Sequence, residues 1–171
     1  MRHSDVRELM VRTGAATQPE FVEIEVSDTG PGLPDESGLL KQIVSHYAGN
    51  KRILGVCLGL QAIAEVFGGT LRQLSTVHHG LALPVHVQDA SHYLFQGLPY
   101  IFIGGRYHSW VADPDTLPEC LRIIATDPDE QIMALTHREY DVCGLQFHPE
   151  SILTPLGGTL IDNWLKKGFN H

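Results

Sequence analysis

The stretch Ile53-Leu54-Gly55-Val56-Cys57-Leu58-Gly59-Leu60-Gln61-Ala62-Ile63-Ala64-Glu65-Val66-Phe67-Gly68-Gly69 decides the fold. Ile53–Val56 is apolar and β-leaning. After it, Ala62, Ile63, Val66 and Phe67 recur on one helical stripe, and Gly68-Gly69 stops the helix. Cys57 stands between them, framed as Gly55-Val56-Cys57-Leu58-Gly59. Strand, sharp turn and helix is the setting of a nucleophile elbow, where only glycine lets neighbouring backbone come close. A thiol at a helix start also meets the positive end of the helix dipole, which favours the thiolate. A cysteine in such a place is ordinarily a core residue; the two flanking glycines at this spacing favour a reactive one.

Upstream, Ser4 is positioned to cap a short helix with Val6, Leu9 and Met10 inward, ended by Gly14. Phe21–Val26 alternates apolar and acidic residues, as a strand with one wet face does. Ser27–Pro34 is a turn rich in Gly and Pro. Asp35 caps a helix striped by Leu39, Leu40, Ile43, Val44 and Tyr47 and closed by Gly49-Asn50. Downstream, Thr70–Leu74 and Leu81–Val87 are expected strands around a His78-His79-Gly80 turn, and Leu94–Leu98 is a short helical piece. Tyr100–Ile103 and Ser109–Ala112 are expected strands flanking Gly104–His108. Leu121–Ala125 and Gln131–Leu135 follow, joined through an acidic, solvated Asp127-Pro128-Asp129-Glu130 loop. Val142–Phe147 ends in His148-Pro149-Glu150-Ser151, and Gly158–Lys167 closes the chain as a helix. This order predicts an α/β fold: an open, mostly parallel, doubly wound (flavodoxin-like) sheet with an antiparallel portion. In such sheets the active site lies at the carboxyl ends of strands, where both Cys57 and His148 fall.

Composition narrows the function classes. With 171 residues, 43% of them apolar and 19% charged, one soluble domain over residues 1–171 is the simplest expectation. A net charge of -8 without a basic block argues against a nucleic-acid or anionic-membrane surface. No apolar run approaches the ~20 residues of a spanning helix, and Met1-Arg2-His3-Ser4-Asp5 does not read as a signal peptide. Three cysteines, Cys57, Cys120 and Cys143, are too few and too odd in number for a disulfide framework and point to the cytoplasm. Cys120 and Cys143 are expected in the core, and Trp110 and Trp164 in the core or its rim.

A nucleophilic cysteine needs a base, and His is the usual partner. Among ten histidines, His148 stands out because Glu150, two residues on, can orient the imidazole and stabilise its charged form. Taken alone, His-Pro-Glu after a strand is ordinarily an exposed turn. The backbone N–H of Leu58, next after Cys57, is one oxyanion donor by elbow geometry, and the Gly30-Pro31-Gly32 turn offers a second. Of the other histidines, His78-His79, His86, His92 and His108 are scattered and have no metal-site spacing.

Gly55-Val56-Cys57-Leu58-Gly59-Leu60-Gln61 together with Phe147-His148-Pro149-Glu150-Ser151 resembles the class I (triad) glutamine amidotransferases. Gly30-Pro31-Gly32-x-Pro34, Arg106-Tyr107-His108-Ser109 and Ser151-Ile152-Leu153-Thr154 resemble, within that family, the amidotransferase subunits of anthranilate synthase and of para-aminobenzoate (aminodeoxychorismate) synthase. The resemblance runs from Ser27 to the C-terminus. It implies that Cys57 attacks the side-chain amide of L-glutamine to form a thioester, with His148 shuttling the proton and Glu150 holding it. It places Gly30, Pro31, Gly32 and Leu58 around the amide and its oxyanion, and Gln61, Ser109 and Trp110 at the amino-acid end. It implies no cofactor and no metal in this chain, and a chorismate-using synthase component I that receives the ammonia.

The chain departs from that pattern in three places. Leu60 stands where relatives often carry His, and Leu81 where they commonly carry Lys. At residues 1–26 nothing matches their first buried strand and Asp-Asn-Tyr-Asp-Ser-Phe-like loop, which implies an abbreviated or altered amino end. Anthranilate synthesis for tryptophan is the first expectation for the partner's branch, with para-aminobenzoate synthesis for folate, or both, as the alternative. The other readings are a γ-glutamyl peptidase of the same fold and a catalytically silent binding or regulatory subunit.

Overall fold

The strand–turn–helix unit over residues 53–66 forms where the apolar pattern places it, and the remaining elements are arranged around it. The computed structural model describes residues 10–13, 24–27 and 38–167 of the chain. In chain order these are β1 (Met10–Thr13), β2 (Ile24–Ser27), α1 (Gly38–Tyr47), β3 (Ile53–Val56), α2 (Leu58–Val66), β4 (Leu71–Gln73) and β5 (Leu81–Val87). There follow β6 (Ile101–Arg106), β7 (Trp110–Ala112), β8 (Leu121–Thr126), β9 (Ile132–His137), β10 (Val142–Leu145) and α3 (Gly157–Lys166). Short 3-10 turns lie at Tyr93–Phe95 and Pro114–Thr116.

Six strands form the main sheet in the order β3-β10-β9-β8-β5-β6. The α/β architecture is as expected. Among the described strands, β3 and β10 are the parallel pair, and β10–β9, β9–β8, β8–β5 and β5–β6 are antiparallel. The antiparallel portion is therefore the larger part of what is described. β4 does not pair with β5 across the His78-His79-Gly80 turn; it pairs with β7 in a separate ribbon.

Helices cover both faces. Leu60 and Ile63 of α2 and Val44 of α1 pack with Ile53, Ile132 and Val142 on one side. Leu160 and Trp164 of α3 pack with Cys143, Leu145 and Phe147 on the other. α2 is buried from Gly59 to Ala64, all round rather than along one stripe, because a second helix and a strand ribbon cover its back. α1 turns Leu40 and Val44 inward, as does Ala48 just past its end, and leaves Leu39 exposed.

Three expectations are corrected. The short helix capped by Ser4 is overturned at its described end: Met10–Thr13 is strand β1, antiparallel to β2 with Met10 opposite Ser27. The β-branched Val11 and Thr13 suit a pleated ladder better than a helix turn; the Ser4 cap and Asp35 lie outside the described residues. Gly104 and Gly105 are not a loop but part of β6, made glycine by packing. A Cβ on Gly104 would lie 2.9 Å from Phe147, and one on Gly105 3.0 Å from Ser151 and Leu153. Finally, Asp127 is no solvated loop residue. It is 3% exposed and accepts a hydrogen bond from Arg106 Nη1 at 2.6 Å, while Arg106 is 1% exposed and also donates from Nη2 to Pro84 O. The second Asp127 oxygen takes the backbone N–H groups of Asp129 and Gln131, closing the β8–β9 turn in which Glu130 has φ 61°. Of the sulfur and indole groups, Cys143 and Trp164 are buried as expected, and Cys120 and Trp110 are half-buried.

A buried ion pair destabilises strongly when one partner is removed, because the other charge stays dry and uncompensated. Asp127→Asn is therefore expected to lower the unfolding free energy by about 3 kcal/mol in urea titrations. The double replacement Arg106→Met with Asp127→Leu is expected to recover most of that loss.

Candidate functional site

At the carboxyl ends of β3 and β10 the chain makes two tight turns side by side. In the first, Cys57 caps α2 with φ 53° and ψ -102°, a left-handed value for a residue that has a side chain. Its N–H donates to Leu145 O on β10 at 2.7 Å. The turn is this sharp because Gly55 has no side chain. A Cβ there would lie 2.6 Å from the Gly59 carbonyl and 2.7 Å from Ile63. Gly59 itself meets nothing within 4 Å of its would-be Cβ, so its part in the Gly-x-Cys-x-Gly frame is not steric crowding.

The second turn follows β10 and carries His148 and Glu150. Glu150 Oε1 lies 2.5 Å from His148 Nδ1. Around His148 the backbone is clamped: its N–H donates to Gly105 O at 2.9 Å, and its carbonyl accepts the Thr154 hydroxyl at 2.6 Å. The same hydroxyl oxygen accepts the Gly105 N–H at 2.9 Å. Tyr107 stands edge-on to the imidazole at 5.1 Å, its hydroxyl held 3.0 Å from Ser151 Oγ. Beneath the turn, Gly157 opens α3 against Pro149; a Cβ on Gly157 would lie 1.8 Å from the Pro149 carbonyl oxygen.

Electrostatics tie the two turns together. Burial works to lower the His148 pKa, but the Cys57 side chain and then the Glu150 carboxylate outweigh it and push it up to about 10. Burial works to raise the Glu150 pKa, and its hydrogen bond to His148 turns the shift downward. The buried Nε2 of His148 makes no hydrogen bond of ordinary geometry, so sulfur and ring are neighbours without a well-formed bond between them.

The expected site residues divide accordingly. Cys57, His148 and Glu150 are brought to one place. Leu58 opens α2 directly after Cys57 and packs with Leu40 and Ala62. Gln61 is turned inward, 5% exposed, its Nε2 donating to Trp110 O at 2.7 Å. Ser109 and Trp110 are half-buried, with Ser109 O taken by Leu74 N. Gly30, Pro31 and Gly32 lie outside the described residues. Sequence reasoning missed Gln146, fully buried with its Nε2 3.7 Å from Cys57 Sγ. Its signal was a lone amide in the otherwise apolar run Val142–Phe147. It also missed Gly105, Thr154 and Gly157, whose parts depend on contacts remote in sequence. Among the described residues no group of three or more His, Cys, Asp or Glu is arranged to hold a metal ion.

Residues 20–167 match the family model of the class-I glutamine amidotransferases. The chain is 42% identical over 152 residues to aminodeoxychorismate synthase component 2 of Escherichia coli K12, covering 89% of this chain and 79% of that protein. It is 40% identical over 165 residues to anthranilate synthase component 2 of Pseudomonas putida, covering 94% and 81%. It is 37% identical over 148 residues to the aminodeoxychorismate/anthranilate synthase component 2 of Bacillus subtilis, covering 86% and 74%. Among solved structures, a protein described as a GMP synthase subunit from Thermoplasma acidophilum superposes with a TM-score of 0.69 at 27% identity, covering 78% of this chain and 66% of that one.

Two measurements probe the site's construction. Gly157→Ala, which drives a methyl into the Pro149 backbone, is expected to destabilise the protein by about 3 kcal/mol in urea titrations. Gly158→Ala, with nothing within 4 Å, is expected to change little. The second concerns pH. Burial, then the charges of His78 and Arg106, hold the His108 pKa down at about 3, and burial holds His92 at about 4. A folded pKa below the unfolded value gives stability that is present above about 6.5 and lost as pH falls through the folded value. His148 has the opposite sign: its contribution is complete below about 6.5 and is lost as pH rises through about 10. Urea midpoints are therefore expected to fall from pH 6.5 towards pH 3, and His108→Phe is expected to flatten that acid limb.

Proposed function

The chain belongs to the class I glutamine amidotransferase family, and on that premise we propose that it is the ammonia-donating subunit of a chorismate-aminating synthase. It acts as one domain, in the cytoplasm, with Cys57, His148 and Glu150 as a catalytic triad. The observation that carries this reading is that the Cys57 side chain and the Glu150 carboxylate act on the same imidazole, at the end of a strand–turn–helix unit. No helix among the described residues is long and apolar enough to cross a membrane.

In the mechanism, the Cys57 sulfur attacks the side-chain carbonyl carbon of L-glutamine. The carbonyl oxygen becomes an oxyanion facing the Leu58 N–H, with Gly30-Pro31-Gly32 as the proposed second wall. As the C–N bond breaks, His148 gives its proton to the departing nitrogen, and ammonia leaves behind a γ-glutamyl thioester. Water then adds to the thioester, losing a proton to His148. Collapse of that second intermediate expels the sulfur and yields glutamate. Glu150 keeps the imidazole oriented and stabilises its charged form throughout. Gln61, Ser109 and Trp110 are proposed to line the amino-acid end. Ammonia passes to a component I synthase that aminates chorismate. Relatives named for the aminodeoxychorismate and the anthranilate reactions match at 42% and 40% identity. The proposal is accordingly the half-reaction those two systems share, and the synthase that co-purifies with the chain identifies its branch.

Cys57→Ser is expected to reduce glutamate release from glutamine by roughly a thousandfold or more, and Glu150→Gln by roughly a hundredfold. A glutamine-like diazo-ketone is expected to label Cys57 of the wild-type protein. If Cys57 stayed unlabelled and no glutamate were released, whether the chain is alone or joined by a synthase partner, it would be a silent subunit and the proposal would be wrong.

A further inference from the structure

Gln146 is buried completely, yet its side-chain nitrogen lies 3.7 Å from the Cys57 sulfur. Its orientation is set by a chain of groups that begins at a backbone carbonyl. Trp110 O can only accept, so the Gln61 side chain must present its nitrogen there, at 2.7 Å. The second hydrogen of that nitrogen is directed at Gln146, whose Oε1 lies 3.4 Å away. With its oxygen committed to Gln61, Gln146 turns its N–H₂ to Cys57 Sγ at 3.7 Å. The backbone fixes the other end, since Gln146 N–H donates to Met133 O. Strand alternation adds a further constraint. Val142 packs with the α2 side of the sheet and a Cβ on Gly144 would meet Leu60, so Gln146 follows on the same face. Among the described residues, His148 is a titratable neighbour of the sulfur, with Glu150 behind it.

We propose that Gln146 is an oriented hydrogen-bond donor to the Cys57 sulfur that favours the thiolate over the acylated form, and that Gln61 is the positioning residue that aims it. This rests on the reading of Cys57 as the nucleophile. An N–H donor binds a sulfur bearing full negative charge more strongly than a thioester sulfur. It therefore assists at two points: before attack, and when the thioester hydrolyses and sulfur departs. Gln61 acts through Gln146 and has no need to touch substrate for this role.

The test is the rate of iodoacetamide alkylation at Cys57 as a function of pH, followed by mass spectrometry of the Cys57 peptide so that Cys120 and Cys143 do not contribute. Gln146→Met keeps the length and apolar volume while removing the donor. Its half-maximal alkylation is expected about half a pH unit or more above wild type, with kcat for glutamine hydrolysis reduced roughly tenfold and KM within about twofold. Gln61→Met, which leaves the donor but frees its orientation, is expected to shift the same profile by a smaller amount. A folded Gln146→Met protein with a profile superimposable on wild type overturns the inference; if that variant does not fold, an unchanged profile for Gln61→Met overturns it instead. Wild-type protein that alkylates normally but hydrolyses no glutamine with its partner present sinks the functional reading, whereas loss of the profile shift alone sinks only the role of Gln146.

Discussion

The parallel register of β3 against β10 is the constraint from which the site follows. Val56 pairs with Leu145, and the next residue on each strand is Cys57 and Gln146. The bond from Cys57 N–H to Leu145 O continues the ladder just as the chain leaves it for α2. Two residues beyond Gln146, the segment leaving β10 turns and presents His148. Sulfur, amide and imidazole thus meet because two strands run the same way and end together. A slip of one residue would send Gln146 to the α3 face and put Phe147 against the helix start. Nothing in either turn alone could repair that.

The antiparallel half of the sheet has a different task. β6 carries Gly105, which receives the His148 N–H and gives its own N–H to Thr154. Those bonds hold the His-Pro-Glu turn against an edge strand rather than leaving it a free loop. β6 is in turn anchored by Arg106, whose buried pairing with Asp127 ties it to the β8–β9 turn. Such a pair gains little over an apolar filling in net stability. Its geometric return is that one strand edge, the turn beside it and the histidine clamp cannot move independently.

What was legible in the sequence was local. The strand–Cys–helix unit shows itself through Gly55 and the apolar run, and His148 with Glu150 shows itself because the partners are two residues apart. The misreadings share one physical origin. Asp127 sits among Pro, Asp and Glu, which locally describes a solvated turn, and only the arrival of Arg106 from 21 residues away makes it a core residue. Gly104-Gly105 has the composition of a loop, and only the packing of Phe147, Ser151 and Leu153 explains a strand there. Met10–Thr13 fits a helix by spacing, and its pairing with β2 overrides a weak propensity. Gln146 was in view as an apolar run with one amide, but its partner Gln61 is 85 residues distant.

The two buried polar systems also bear on how the proposed chemistry begins. With its pKa near 10, His148 carries its proton at neutral pH. A charged imidazole half-sheltered from water is supported by negative charge close by, which the Glu150 carboxylate supplies at Nδ1, with the Cys57 side chain also beside the ring. A ring already protonated has no free nitrogen with which to accept a further proton, so it serves first as acid to the departing nitrogen and only afterwards as base to water. The half-exposed Glu150 suits this alternation, since solvent can share its charge while the ring is neutral. Cys57 is only half-buried, and its sulfur lies 3.7 Å from Gln146 Nε2 on the sheet side, a donor that stays in place whatever the protonation of the ring. A thiolate leaving the thioester is then stabilised from the strand that also fixes the histidine, which places acid, base and sulfur support under one register.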